Sequence, residues 1–297
     1  DGQAILWSTE CSTKHRDTDD PLLTPFLTIP LVTPMSMVSA PITKLVISNP
    51  APSTDFFVGM ETGHVSRGCW DKAVVTAKFN EEQQELRKLD GEKTKGTKKV
   101  YAASTLESLP STHHGPVVAL ERSPFLSELV LSADGASLCI SMEGVANPVF
   151  TSPPGIVAIT SVCFSLTRPA VVCVGRANGQ VEIWDLLDRS HEPFMSHPAS
   201  VTRITDLVYH RRVRVPAQDG RRVNVRDMLA VGDSGGTLHV LELPRSLTHL
   251  VQQEHKLLIS FCKREVARSE YADSRRKHRC AARAEEEEER SSREAQL

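Results

Sequence analysis

The stretch Gly179-Gln180-Val181-Glu182-Ile183-Trp184-Asp185 constrains the fold more than any other, because its pattern recurs along the chain. Gly2-Gln3-Ala4-Ile5-Leu6-Trp7 carries the same glycine, the same alternation and the same closing tryptophan 177 residues earlier. Fainter copies stand at Gly63-His64-Val65, Ser137-Leu138-Cys139-Ile140-Ser141 and Gly236-Thr237-Leu238-His239-Val240-Leu241. Ser141 lies 43 residues before Trp184. The longer spacing is close to four periods of about 44 residues.

In these copies the residues two and four after the turn position are mostly apolar: Ala4 and Leu6, Leu138 and Ile140, Val181 and Ile183, Leu238 and Val240. Alternation with period 2 sets one row of a strand against a neighbouring sheet. Val65 and Arg67 depart from the rule. Short antiparallel units repeating every ~40–45 residues, with a terminal Trp-Asp, are the signature of WD40 β-propeller blades. The expected fold is therefore all-β: a partial propeller of four to five blades over residues 1–250, followed by a charged helix or tail over 251–297. Trp7, His114, Asp134, Gly179, Trp184, Asp185 and Gly236 are its expected blade-motif residues. A strand motif that begins at residue 2 is expected to continue a propeller whose other blades lie upstream.

Within this frame residues 9–41, with five prolines, read as a connecting loop with short extended pieces, since proline removes ladder donors. A first repeat runs from Ile42 through Phe56–Met60 and a turn at Glu61-Thr62-Gly63 to a strand ending near Trp70. The charge-rich segment 81–99 reads as a solvated insertion. The second repeat places strands near Val117–Arg122, Glu128–Ala133 and Ser137–Met142, with Asp134-Gly135 as its turn and Ser141 where tryptophan is usual. The third spans Ile159–Leu186 and turns at Asn178-Gly179; the fourth spans Ile204–Leu243 and carries a basic excursion from Arg211 to Arg226. From Gln252 onward there is no proline or glycine, and Glu, Arg, Lys and Ala favour helix. Leu258, Phe261 and Val266 form an apolar stripe in its first turns only. A basic block, Arg275-Arg276-Lys277-His278-Arg279, and an acidic run, Glu285–Glu289, then read as a solvated helix.

Composition excludes several functions. A formal net charge of −2 argues against a nucleic-acid or membrane surface, and no apolar run approaches the ~18 residues of a spanning helix. Seven cysteines without a CxxC pair point to a reducing compartment, not to a zinc module or disulfide scaffold. Gly232-Asp233-Ser234-Gly235-Gly236 matches the nucleophile segment of chymotrypsin-like serine proteases in letters alone. It sits where a blade's hairpin turn belongs and lacks the supporting histidine and disulfide context. His113-His114 offers no metal pair, because neighbours on an extended strand point to opposite faces; His114 instead suits a bond to the turn residue Asp134. No catalytic residue, cofactor-binding residue or metal ligand is expected.

Longer phrases then carry a family resemblance. Ser165-Leu166-Thr167-Arg168-Pro169, Gly175-Arg176, Trp184-Asp185-Leu186-Leu187 and His191-Glu192-Pro193 resemble the dynein intermediate-chain family. So do His114-Gly115-Pro116-Val117, Arg122-Ser123-Pro124-Phe125, the run Gly236–Pro244, and Phe261, Arg264-Glu265-Val266 and Glu270-Tyr271. Over about residues 42–275 the chain is most similar to the WD-repeat intermediate chain of the two-headed axonemal inner-arm dynein. The resemblance implies a non-catalytic scaffold that binds the tail of a dynein heavy chain, beside a second intermediate chain and dynein light chains in the same complex; the alternatives are an intermediate chain of an outer-arm or intraflagellar-transport dynein, or a general WD-repeat adaptor. It implies indirect attachment to the doublet microtubule, preassembly in the cytoplasm, and residence in the axoneme of a cilium or flagellum. Light chains would bind N-terminal to the propeller, outside this chain. Phe261, Arg264 and Tyr271 are the candidate partner contacts, with packing on the propeller as an equal alternative for them.

Overall fold

Alternating apolar rows need a partner sheet, and the chain supplies one blade after another. The structure is a computed structural model that describes residues 3–7, 25–30, 41–47, 55–69, 106–211 and 227–294. Blade 1 joins β3 (Ile42–Ile47), β4 (Asp55–Met60), β5 (Val65–Cys69) and β6 (Glu107–Leu109) in that order. Blade 2 joins β7 (Ala119–Arg122), β8 (Leu129–Ala133), β9 (Leu138–Met142) and β10 (Phe150–Thr151). Blade 3 joins β11 (Ile159–Phe164), β12 (Val171–Arg176), β13 (Gln180–Asp185) and β14 (Met195–Pro198). Blade 4 has three described strands, β15 (Ile204–His210), β16 (Met228–Asp233) and β17 (Leu238–Glu242). All pairings are antiparallel, as the short turns require. A short helix α1 (Arg245–Thr248) and the long α2 (Glu254–Glu294) follow.

The first strand of each blade packs on its predecessor: β7 on β3 and β4, β11 on β7 and β8, β15 on β11 and β12. Apolar clusters fill each junction. Phe57, Val65, Val117 and Val130 lie between blades 1 and 2, and Val171, Val181, Ile183, Ile204 and Leu229 between blades 3 and 4. Each such side chain contributes ~1.5–3 kcal/mol by leaving water, which a lone blade cannot gain. Arg67, the exception to the alternation, is held by charge instead. Its Nη2 lies 2.8 Å from Asp55 Oδ2 within blade 1 and its Nη1 2.9 Å from Glu143 Oε2 in the loop after β9.

The structure revises the loop assigned to residues 9–41. Pro25–Pro30 forms strand β2, which pairs antiparallel with β1 (Gln3–Trp7) from Gln3↔Pro30 to Trp7↔Pro25. A two-stranded sheet leaves one edge of each strand unladdered, and the prolines occupy the two ends of β2, where a missing N–H matters least. Blade 2 is likewise complete despite lacking the tryptophan. Ser141 is buried, and its hydroxyl donates to the Pro110 carbonyl oxygen. The segment 81–99 and most of the basic excursion (212–226) lie outside the described residues.

Three hairpins turn through glycine with positive φ: Gly63 (84°), Gly179 (82°) and Gly236 (81°). A Cβ on Gly179 would fall 2.0 Å from the Ser200 carbonyl oxygen, whereas Gly236 faces open space. Gly236→Ala should therefore cost only the left-handed backbone term, ~1–2 kcal/mol. Gly179→Ala should add a backbone displacement and lose on the order of 4 kcal/mol. Urea midpoints of the two variants check this; equal losses would contradict it.

Glu121 on β7 reaches between blades and accepts the Phe164 N–H of β11 at 2.6 Å. Burial pushes its carboxyl up to about 7 from 4.5, the Phe164 N–H pulls it down, and Asp206 on β15 pushes it up again. A raised carboxyl pKa in the folded state means that the unfolded chain sheds its proton first. Stability is therefore full below 4.5 and declines as pH rises toward 7. Glu121→Gln keeps an acceptor and removes the titration. It should gain about 1–3 kcal/mol near pH 8 and nothing near pH 4, which urea unfolding at the two pH values measures.

Candidate functional site

The turn Gly232–Gly236 sits between β16 and β17, as a blade hairpin does. Its carboxylate, not its serine, is the centre of the local network. Asp233 accepts the Ser200 hydroxyl at 2.7 Å and the Thr237 N–H at 2.8 Å, and His239 Nε2 lies 3.0 Å from Oδ2. Those bonds, led by Ser200, hold the Asp233 carboxyl well below the usual carboxylate range. Ser234 is exposed and donates its backbone N–H to the Arg203 carbonyl. A nucleophilic serine needs a histidine to take its proton; here the nearby imidazole, His239, lies against Asp233, and the hydroxyl that shares this carboxylate is that of Ser200, not Ser234. The hollow beside it, about 400 Å³ and lined by Pro198, Val201, Asp233 and His239, is shaped by these turn bonds.

In blade 2 the ring that approaches the turn aspartate belongs to His113, which corrects the assignment to His114. His113 is buried, with Nε2 2.8 Å from Ser132 Oγ and Nδ1 3.6 Å from Asp134 Oδ2. His114 contributes only its backbone N–H, at 3.3 Å from the same oxygen. Alternation along an extended chain sends one of two adjacent side chains inward, and the sequence alone does not say which. Burial lowers the His113 pKa against the pull of Asp134. Asp134 also accepts the N–H groups of Ala136 and Ser137 at 2.8 and 2.6 Å, which closes the turn between β8 and β9 without a positive-φ glycine. Trp184 is buried, edge-on to Phe150 at 6.2 Å between ring centroids. Trp7 lies on β1, and its side chain is outside the described residues. No group of three or more His, Cys, Asp and Glu is placed to hold a metal among the described residues, and no described helix is long and apolar enough to cross a membrane.

The most elaborate side-chain constellation is where α2 joins the blades. Arg168, in the loop between β11 and β12, is buried and reaches four acceptors. Nε donates to Glu254 Oε1 and Oε2 at 3.1 and 3.2 Å, Nη1 to the Ser246 carbonyl at 3.0 Å, and Nη2 to Asp185 Oδ2 at 2.7 Å. One guanidinium thus ties α1, the first residue of α2 and the Trp-Asp of blade 3. Burial opposes its charge, but Glu254 and Asp185 outweigh this and raise its pKa. Gln253, at φ 67°, takes a left-handed turn immediately before Glu254 enters the helix. The carboxylate also accepts the Val251 N–H at 3.2 Å, which satisfies a free donor ahead of the helix.

Beyond this latch, Leu258, Phe261 and Cys262 join the apolar cluster of blades 2 and 3, which includes Leu131, Phe164, Val172 and Trp184. The spacing 254, 258, 261, 262 is one helical face. Phe261 is 6% exposed and packs into the protein's own core, the second of the two roles its sequence allows. Arg264 lies over the Phe261 ring, 5.2 Å from its centroid, with its head exposed beside Glu265. Tyr271 is 67% exposed and stays available. The last anchor is Asn147, whose amide donates to Asp273 at 2.5 Å. Arg168, Glu254, Asn147 and Asp273 escaped sequence reasoning as a set. Arg168-Pro169 stood out as a phrase, but its partners lie 17 and 86 residues away, beyond any local pattern.

The arrangement is a platform with a docked helix, which suits broad contact rather than a reaction. The WD40 domain of dynein axonemal intermediate chain 3 matches residues 31–243 as a family. Dynein axonemal intermediate chain 3 of Mus musculus is 32% identical over 227 residues, 76% of this chain and 21% of that protein. The Homo sapiens protein of the same name is 31% identical over 230 residues, 76% of this chain and 22% of its own length. A 70 kDa intermediate chain of the flagellar outer arm from Chlamydomonas reinhardtii is 28% identical over 160 residues, 53% of this chain and 26% of that one. The chain spans about a fifth of the length of the first two.

Proposed function

Because the chain belongs to the WD-repeat family of axonemal dynein intermediate chains, we propose that it serves as a non-catalytic scaffold subunit of an axonemal dynein. The observation that carries this reading is that the family's WD40 domain extends across all four blades. A rigid stack of blades offers wide faces and loops without a reactive pocket. Holding a motor tail calls for contact of about 1,000 Å² or more. The finer reading is an inner-arm motor whose heavy-chain tail is bound by the blades, with a second intermediate chain and light chains in the same complex. It rests on the phrases Ser165–Pro169, Gly236–Pro244 and Phe261–Tyr271. Assembly in the cytoplasm followed by residence in the axoneme belongs to the same reading.

Tagged protein recovered from axonemal extracts should bring heavy chains with it, and its loss should remove one inner-arm motor species in electron micrographs of axonemes. Intact inner arms with missing outer arms would favour the second reading, an outer-arm chain, which the relative from Chlamydomonas reinhardtii supports over about half of this sequence. Recovery without any dynein heavy chain would leave a general WD-repeat adaptor.

A further inference from the structure

Helix α2 leaves the rim of blade 2 at the Asn147–Asp273 bond, and from Ser274 onward every described side chain is exposed. Where the helix parts from the loop that carries Asn147 lies a hollow of about 390 Å³. Arg268, Ser269, Asp273, Arg276 and Arg279 line its helical side. Its cations keep most of their donors. Arg268 gives Nε to Glu265 Oε2 at 2.6 Å, and Arg276 gives Nη2 to Asp273. Arg279 makes no ion pair with another described residue. A guanidinium carries five N–H donors, so all three arginines can take a further acceptor. The hollow's own carboxylate is already engaged: Asn147, then Arg276, hold Asp273 below the usual carboxylate range.

We propose that this hollow binds a short acidic stretch of a partner polypeptide, each arginine taking one carboxylate. Spacing selects the ligand. Arg268 and Arg279 stand about 16 Å apart along the helix, with Arg276 between them. A single small anion cannot bridge that distance, whereas about five residues of extended chain span it. A long polyanion such as nucleic acid would run on into Glu285–Glu289 of the same helix and be repelled; a short acidic stretch ends before them. Paired N–H groups of a guanidinium match the two oxygens of a carboxylate, which favours a peptide carboxylate at each position. The Ser269 hydroxyl adds a neutral donor on the same wall. These are exposed charges, so the contact weakens as salt shortens the Debye length. The site does not depend on the dynein reading, since an acidic peptide alone fills it.

The test is fluorescence anisotropy of the 297-residue chain with a labelled peptide of about eight glutamates, long enough to span the three arginines. Binding is expected at low salt. Arg268→Gln, Arg276→Gln and Arg279→Gln together should weaken it about tenfold or more. Arg275→Gln, Lys277→Gln and Arg283→Gln together remove the same charge from the same helix outside the hollow, and should cost only about twofold. Asp273→Asn should tighten binding about threefold, because it frees Arg276 while an amide oxygen still accepts from Asn147. Free glutamate, at the same carboxylate concentration, should compete about tenfold less well than the unlabelled peptide. Circular dichroism identifies a variant that has lost its helix, in which case Asp273→Asn and the competition decide. Wild type that does not bind the peptide at low salt overturns the proposal, as do equal losses in the two triple variants. An Asp273→Asn protein that binds no better overturns it too. So does glutamate or inorganic phosphate that competes as well as the peptide, which would mark a site for a small anion.

Discussion

Replacing Arg168 with alanine is expected to lower the unfolding free energy by about 3–5 kcal/mol, the usual loss when one member of a buried ion pair is removed. The size follows from what stays behind. Glu254 is 1% exposed and Asp185 5%, so neither carboxylate can recover its lost partner from water. Asp185 is the aspartate of the Trp-Asp unit, and Glu254 opens α2, so both the blade and the helix register the loss. Urea unfolding measures the energy, and hydrogen exchange locates it: amide protection over residues 254–266 should fall in Arg168→Ala. A double change, Arg168→Met with Glu254→Gln, should recover part of the loss, because it leaves fewer buried charges unanswered. If α2 keeps full protection in the single variant, the latch is not what holds it.

Phe261→Ala should cost about 3–5 kcal/mol, whereas Tyr271→Ala should stay within about 0.5 kcal/mol. The two aromatics lie ten residues apart on one helix but in opposite settings, one inside the cluster of blades 2 and 3 and the other 67% exposed. Thermal or urea denaturation separates them. The contrast also bears on assembly. A defect in Phe261→Ala would act through an undocked helix, while one in Tyr271→Ala, with stability unchanged, would mark a surface contact. A stable Phe261→Ala protein would show that the helix does not need its apolar anchor.

Much of the architecture was legible because blades are local units. Hairpins at Gly63, Gly179 and Gly236 are signalled by a residue type that tolerates positive φ, and the strands on either side by their alternation. Strand β2 was hidden by its prolines, since a rule about central ladders does not govern the ends of a two-stranded sheet. The exchange of His114 for His113 turned on which of two neighbours faces inward, and a two-residue repeat is blind to a shift of one. The latch was invisible because its members are joined only when blade 3 and α2 are both in place.

The row at Val181 and Ile183 and the row at Leu238 and Val240 read alike in one dimension, yet the first pair is buried and the second is 67% and 57% exposed. Sequence by itself determined the repeat, its strands and its turns, because these answer to backbone conformation and side-chain alternation within a few residues. Tertiary structure alone decided which faces are covered, which histidine enters the network, and that Phe261 belongs to the core rather than to a partner. Burial depends on what lies across the gap, and no short stretch of chain carries that.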